Sequence, residues 1–280
     1  MSPESNGVSG SSWLGPPIDA RALFGPEHRS LLDTLRGLAP SDWGRTAAGQ
    51  WTVHDVATHL LGGYYGRLGH GYRNGFADGE TLEAFIHRTN QEWVESHADD
   101  SPAALIDAPT AAGTQLAQQF ATADLHAAAL GVSWAGVAPA PAWLDIAREF
   151  TEHWTHRQQI RHAIGRDTDP EPRALGMVLD TFMRALPHTL RNTSAPVGAQ
   201  VQVMAEGPGG ACWTVTAAAD RWSLAERPSG RPTATMLLDT ESVWRLSTRN
   251  FDPADALSRA QVRGDRRLAE AACHIVSIVH

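Results

Sequence analysis

Residues 142–165 read AWLDIAREFTEHWTHRQQIRHAIG. The run predicts one long helix from Ala142 to Ile164, with Gly165 suited to the position just past its end. Trp143, Ile146, Ala147, Phe150 and Trp154 fall on one apolar stripe at helical spacing. Glu152, His156, Ile160 and Ala163 fall on a second. A helix that is apolar on two sides is largely buried. A carboxylate and an imidazole carried into the interior need partners, and a cation satisfies both. Imidazole nitrogen with carboxylate oxygen is a suitable donor set for zinc, iron or nickel.

A second stretch, WTVHDVATHL over residues 51–60, gives another helix. Thr52 is a good N-cap, and Asp55 three residues on completes a capping box with Asp in the place of Glu. Val53, Val56, Leu60, Leu61, Tyr64, Tyr65 and Leu68 then form one broad face. His59 lies beside Val56, Leu60 and Gly63, close to that face. Gly62 and Gly63 each weaken a helix by about 1 kcal/mol relative to Ala, which points to close approach of another element or a ligand. One ligand from this helix and two from the long one is a common way to build a metal site in a bundle. Spacing alone leaves rivals open. Glu152 and His156 could be a helix-surface pair, and His153 with His156 or Asp55 with His59 are alternative pairings.

Outward from these two runs, Leu31, Leu32, Leu35 and Leu38 mark a helix that Pro26 can open. Leu82 to Val94 and Pro102 to about Leu125 mark two more. Gly131 to Pro141, with Trp134, reads as a loop, and Ala174 to Leu190 as a helix. From about Ala195 the texture changes to short alternating segments around Val201–Val203, Trp213–Val215 and Trp222–Leu224. Gly207-Pro208-Gly209-Gly210 forms a turn between the first two. Thr233–Leu238 and Val262 are further strand candidates, with helices at Glu241–Thr248 and from Asp265 to the end. The expected organisation is a polar disordered tail over 1–14, a helical bundle over 15–194 and an α+β domain over 195–280.

The net charge of -8 over 280 residues argues against a phosphate backbone as partner. No run approaches the roughly 20 apolar residues of a membrane span, and the polar start does not resemble a signal peptide. A soluble, cytoplasmic protein acting on a small molecule is expected, with its oligomeric state undetermined. Cys212 and Cys273 have no metal-knuckle or redox spacing and read as reduced, core-packed thiols. No serine or cysteine stands out as a nucleophile.

Residues 51–60, together with Glu152-His153-Trp154-Thr155-His156 followed by Ile160-Arg161 and Ala163-Ile164-Gly165, resemble the second- and third-helix motifs of DinB-like four-helix bundles. More narrowly, the chain resembles the mycothiol-dependent maleylpyruvate isomerase family. Trp244-Arg245-Leu246-Ser247-Thr248-Arg249 and Gly264-Asp265-Arg266-Arg267-Leu268-Ala269 resemble that family's C-terminal, sterol-carrier-like domain. The resemblance implies a mixed fold, a DinB-like helical bundle followed by a small α+β domain. It selects His59, Glu152 and His156 as ligands of a divalent metal, with zinc the default. It also implies mycothiol or another low-molecular-weight thiol as cofactor. In the family reaction the thiolate adds to a conjugated double bond, the bond rotates, and elimination releases the isomer; related bundles transfer the thiol and stop. Many relatives have Asp where this chain has Gln159, a departure that touches support of the ligands or the substrate pocket. Arg249 could grip a substrate carboxylate with its planar fork or form a structural ion pair. Trp134 and Trp154 could line an apolar pocket or pack in the core. Two other readings stand beside the thiol enzyme: a metalloenzyme with diverged, thiol-independent chemistry in secondary metabolism, and a non-catalytic small-ligand-binding protein.

Overall fold

The computed structural model describes residues 11–69, 75–225 and 230–277. In chain order the helices are α1 Phe24–Arg36, α2 Val53–Leu68, α3 Leu82–Ser96, α4 Pro102–Ala121, α5 Ala142–Ala163, α6 Pro172–Phe182, α7 Leu186–Thr189, α8 Thr240–Ser247, α9 Pro253–Arg259 and α10 Arg266–Cys273. The strands are β1 Thr46–Ala48, β2 Trp51–Thr52, β3 Ala128–Ala129, β4 Ala140–Pro141, β5 Gln200–Glu206, β6 Cys212–Ala217, β7 Trp222–Ala225, β8 Ala234–Asp239 and β9 Gln261–Gly264. This is the expected combination of a helical region and a small mixed sheet. No helix among the described residues is long and apolar enough to cross a membrane.

By packing, the described residues divide into two compact units. One holds 20–123 and 149–169; the other holds 11–19, 124–148 and 170–277. The expected break at residue 194 followed sequence texture, whereas packing groups residues 124–148 and 170–194 with the sheet.

The first unit is built from α1 to α4 and the later turns of α5. Its core joins Leu31 and Leu35 of α1, Val53, Val56, Leu60 and Leu61 of α2, Leu105 of α4 and Ile160 of α5. α2 begins where the capping box placed it. The Thr52 side chain accepts from Asp55 N at 3.2 Å, and Asp55 Oδ2 accepts from Thr52 N at 2.8 Å, so two of the helix's orphan donors are satisfied. α4 opens on the Ser101 cap with Pro102 in its first turn.

In the other unit the sheet runs β7-β6-β5-β8-β9, with β5 and β8 parallel and the remaining pairs antiparallel. The parallel register sets Val201 beside Ala234, Val203 beside Met236 and Ala205 beside Leu238. All six are buried, so they form one apolar face at the period of two that a half-buried sheet demands. The expected helix over 174–190 is interrupted by a 3₁₀ turn at Met183–Ala185 before α7, where Pro187 supplies no backbone donor. α9 was not foreseen, although Asp252-Pro253 is a cap followed by a first-turn proline. Of the expected disordered tail, residues 1–10 lie outside the described residues. Ser12–Leu14 form a 3₁₀ turn with Leu14 fully buried, because Leu14 is an apolar side chain with a core to enter.

Candidate metal centre

His59 stands in the second turn of α2, and Glu152 and His156 stand one turn apart on α5. One ligand atom from each side chain, a ring nitrogen or a carboxylate oxygen, lies within 4.8 Å of the other two. The two rings meet edge to face, with centroids 4.8 Å apart. Among the described residues this is the one group of three His, Cys, Asp or Glu side chains so arranged. His59 is steadied on its outer side by the Trp51 ring, 5.0 Å between centroids. One residue earlier, the Thr58 carbonyl accepts from Trp93 Nε1 at 2.9 Å, which ties this turn of α2 to α3.

His156 Nε2 is 3.4 Å from Glu152 Oε2, long for a charged hydrogen bond. Two ligands at the usual zinc distances in tetrahedral geometry stand about 3.3 Å apart. His156 Nδ1 lies 2.7 Å from Gln159 Oε1. With the amide oxygen accepting, Nδ1 carries the hydrogen and Nε2 presents its lone pair towards Glu152. A lone pair facing a carboxylate is a repulsive arrangement until a cation lies between them.

Burial, followed by the neighbouring His156, lowers the pKa of His59 to about 3, against the opposing pull of Glu152. The imidazole is therefore neutral at physiological pH, the form that coordinates a metal. Its Nδ1 is buried with no hydrogen-bond partner, a position that normally has to be explained. A donor set of two neutral imidazoles and one carboxylate, carrying an orphaned ring nitrogen, fits a divalent cation.

The rival pairings are separated by the fold. Asp55 is occupied in capping its own helix. His153 is buried in a different cluster, stacked on Tyr64 at 4.6 Å between centroids and 3.5 Å from Glu149 Oε1. Tyr64 in turn lies 3.0 Å from His28 Nδ1. Glu149 is bound by Arg67 of α2, with Nε and Nη2 both 2.8 Å from Oε2. This clamp joins the two helices that carry the candidate ligands. Next to His156, Arg157 holds Glu27 of α1 through Nε and Nη2 at 2.5 and 2.9 Å, and Asp169 through Nη1 at 2.9 Å.

The remaining residues singled out from sequence have other surroundings. Gln159 is buried and touches the centre through His156. Trp154 is fully buried and Trp134 is 7% exposed, so both rings serve as interior packing rather than as walls of an open pocket. Trp134 and Arg249 belong to the sheet-containing unit. Arg249 is exposed, has φ 58° at the end of α8, and lines a cavity of about 570 Å3 with Asn250 and His274. The expected burial of both cysteines holds for Cys273 alone. Cys212 is exposed because it begins β6, where the strand leaves the turn.

Sequence reasoning did not find the hydrogen bond from His156 to Gln159, although the (i, i+3) spacing was a usable signal. It also missed the clamp between Arg67 and Glu149, which depends on tertiary contact.

No curated protein and no solved structure matches the chain. A family model described as the mycothiol maleylpyruvate isomerase N-terminal domain matches residues 24–161. That segment holds His59, Glu152, His156 and Gln159, and over it the chain belongs to the mycothiol maleylpyruvate isomerase N-terminal domain family.

Proposed function

We propose that the chain is a divalent-metal enzyme that uses a low-molecular-weight thiol, mycothiol in this family, as an isomerase or thiol transferase acting on an electrophilic small molecule. The observation that carries this reading is the convergence of His59, Glu152 and His156 within 4.8 Å inside the segment that matches the family. Zinc is the default ion for such a donor set. When bound, the cation supplies Lewis acidity that favours the thiolate form of a thiol.

The chain's own residues prepare the site. Burial keeps His59 neutral. With its amide oxygen accepting from Nδ1, Gln159 would hold the His156 tautomer whose Nε2 lone pair is free to coordinate a cation. The pair Arg67 and Glu149 holds α2 against α5. Neither cysteine belongs to the group formed by His59, Glu152 and His156, and desolvation raises the pKa of both thiols, partly at Cys212 and more strongly at Cys273, which is pushed up to about 11. On this reading an exogenous thiol supplies the sulfur, and the reduced thiol pool of the cytoplasm is the fitting compartment.

Assaying metal-loaded protein on maleylpyruvate with and without thiol tests the reading. Turnover that requires the thiol is expected; full turnover without any thiol would overturn it. That second outcome would favour a diverged, thiol-independent metalloenzyme. The observation on that side is Gln159, a neutral amide that makes its imidazole partner a weaker donor than a carboxylate would.

A further inference from the structure

We propose that Trp51 is a positioning residue of the candidate metal centre: its indole, tied to α3 through Gln91, holds the His59 ring in the orientation that meets Glu152 and His156. The inference rests on the reading of that triad as a metal site.

The two histidines are held differently. His156 Nδ1 has Gln159 Oε1 at 2.7 Å. His59 Nδ1 is buried and has no hydrogen-bond partner, so no bond at that nitrogen turns the ring. The χ2 torsion of a histidine is broad, and a helix fixes only the backbone beneath it. Ring contacts supply the restraint. One is with His156, 4.8 Å between centroids and edge to face. The other is with Trp51, at 5.0 Å with the planes tilted by 40°, a separation within the range of favourable ring pairs. Of these two neighbours, Trp51 is the one that is not itself a candidate ligand.

Trp51 is fixed at both ends. Its backbone lies in β2, opposite Ala48 of β1, and the next residue is Thr52, the N-cap of α2. At the far edge of the indole, Nε1 donates to Gln91 Oε1 at 3.2 Å. Gln91 Nε2 donates in turn to Glu95 Oε1, one turn along α3, at 2.8 Å. An indole N–H can only donate and a carboxylate can only accept. The amide therefore has to turn its oxygen to Trp51 and its nitrogen to Glu95, and each contact enforces the other. Two residues along α3 from Gln91, Trp93 Nε1 donates to the Thr58 carbonyl. α3 thus grips the His59 turn of α2 twice, once through the backbone and once through the ring that lies against the ligand. An imidazole restrained before the ion arrives loses less freedom on binding it.

Titration of the metal-free full chain with divalent cobalt, in competition with a chromophoric chelator, tests the proposal. Trp51→Leu should weaken binding about threefold to tenfold and alter the visible ligand-field bands of the bound cobalt, which report how the ligands are arranged. Trp51→Phe, which keeps a ring beside His59, should recover most of the affinity and the wild-type bands. Unchanged bands in a folded Trp51→Leu, whatever its affinity, would make the role of Trp51 structural and overturn the proposal while leaving the metal reading intact. If Trp51→Leu fails to keep the far-ultraviolet helical signal, Gln91→Leu decides. Freeing the indole should weaken cobalt binding about twofold to threefold, and an unchanged affinity would overturn the proposal. No uptake of cobalt by the wild type would overturn the metal reading and the proposal with it.

Discussion

Nδ1 of His156 and Oε1 of Gln159 stand 2.7 Å apart on adjoining turns of α5, and both side chains are buried. With Oε1 accepting, the contact leaves Nε2 as the free nitrogen of the imidazole. It turns Nε2 to Glu152, 3.4 Å away, and so presets the α5 half of the candidate centre.

Gln159→Leu removes the acceptor and leaves the His156 ring unoriented. Metal affinity is expected to fall about 10–100-fold, while the helical signal is retained. Gln159→Glu should restore or exceed the wild-type affinity, because a carboxylate strengthens its imidazole partner as a donor. Competition against a chromophoric chelator measures both.

The pH dependence of stability follows from His59, whose pKa is lowered from 6.5 to about 3. Between those values the unfolded chain binds a proton that the folded chain does not. Stability of metal-free protein is therefore lost as pH falls below the unfolded value. From about pH 7 to pH 5 this residue accounts for up to about 2 kcal/mol. His59→Gln removes the term, so its unfolding midpoint should shift less on acidification. Equal shifts in urea titrations of the two metal-free proteins would contradict this account of His59.

The adjacent glycines of α2 behave oppositely on substitution. A Cβ at residue 62 would lie 2.7 Å from Trp93 Cδ1, whereas one at residue 63 would meet Glu149 Oε1 at an ordinary 3.8 Å. Gly62→Ala should destabilise by about 1–2 kcal/mol through overpacking. Gly63→Ala should be neutral or stabilise by up to about 1 kcal/mol through helix propensity. Thermal unfolding of the two variants gives the comparison.

Arg157 and Glu27 form a pair whose side chains are 3% and 4% exposed. Arg157→Leu leaves Glu27 in the interior with its charge uncompensated, and a loss of about 3–5 kcal/mol is expected. Replacing both with apolar residues of similar volume should cost less than the single change. Denaturant unfolding of the single and double variants decides it.

What could be read from the sequence was local. The capping box at Thr52 and Asp55 set the start of α2, and the doubled apolar stripe of residues 142–164 set α5. Both are properties of a few neighbouring residues, and His59, Glu152 and His156 follow from them once the motif selects among the rival pairings. What could not be read depended on partners distant in the chain. Trp154 and Trp134 are as apolar as pocket walls, and only the packed fold shows them to be interior. Cys212 sits among apolar neighbours in sequence, yet the strand start leaves it exposed. Residues 131–141 have a loop-like composition and residues 142–148 open α5, and their place with the sheet comes from contacts made far along the chain.

The most direct test of the metal centre is the metal content of purified protein expressed with divalent metals supplied. The arrangement of His59, Glu152 and His156 predicts about one equivalent per chain, lost in His59→Ala and in His156→Ala while the helical signal persists. Less than about a tenth of an equivalent in the wild type, or full retention in either variant, would contradict it.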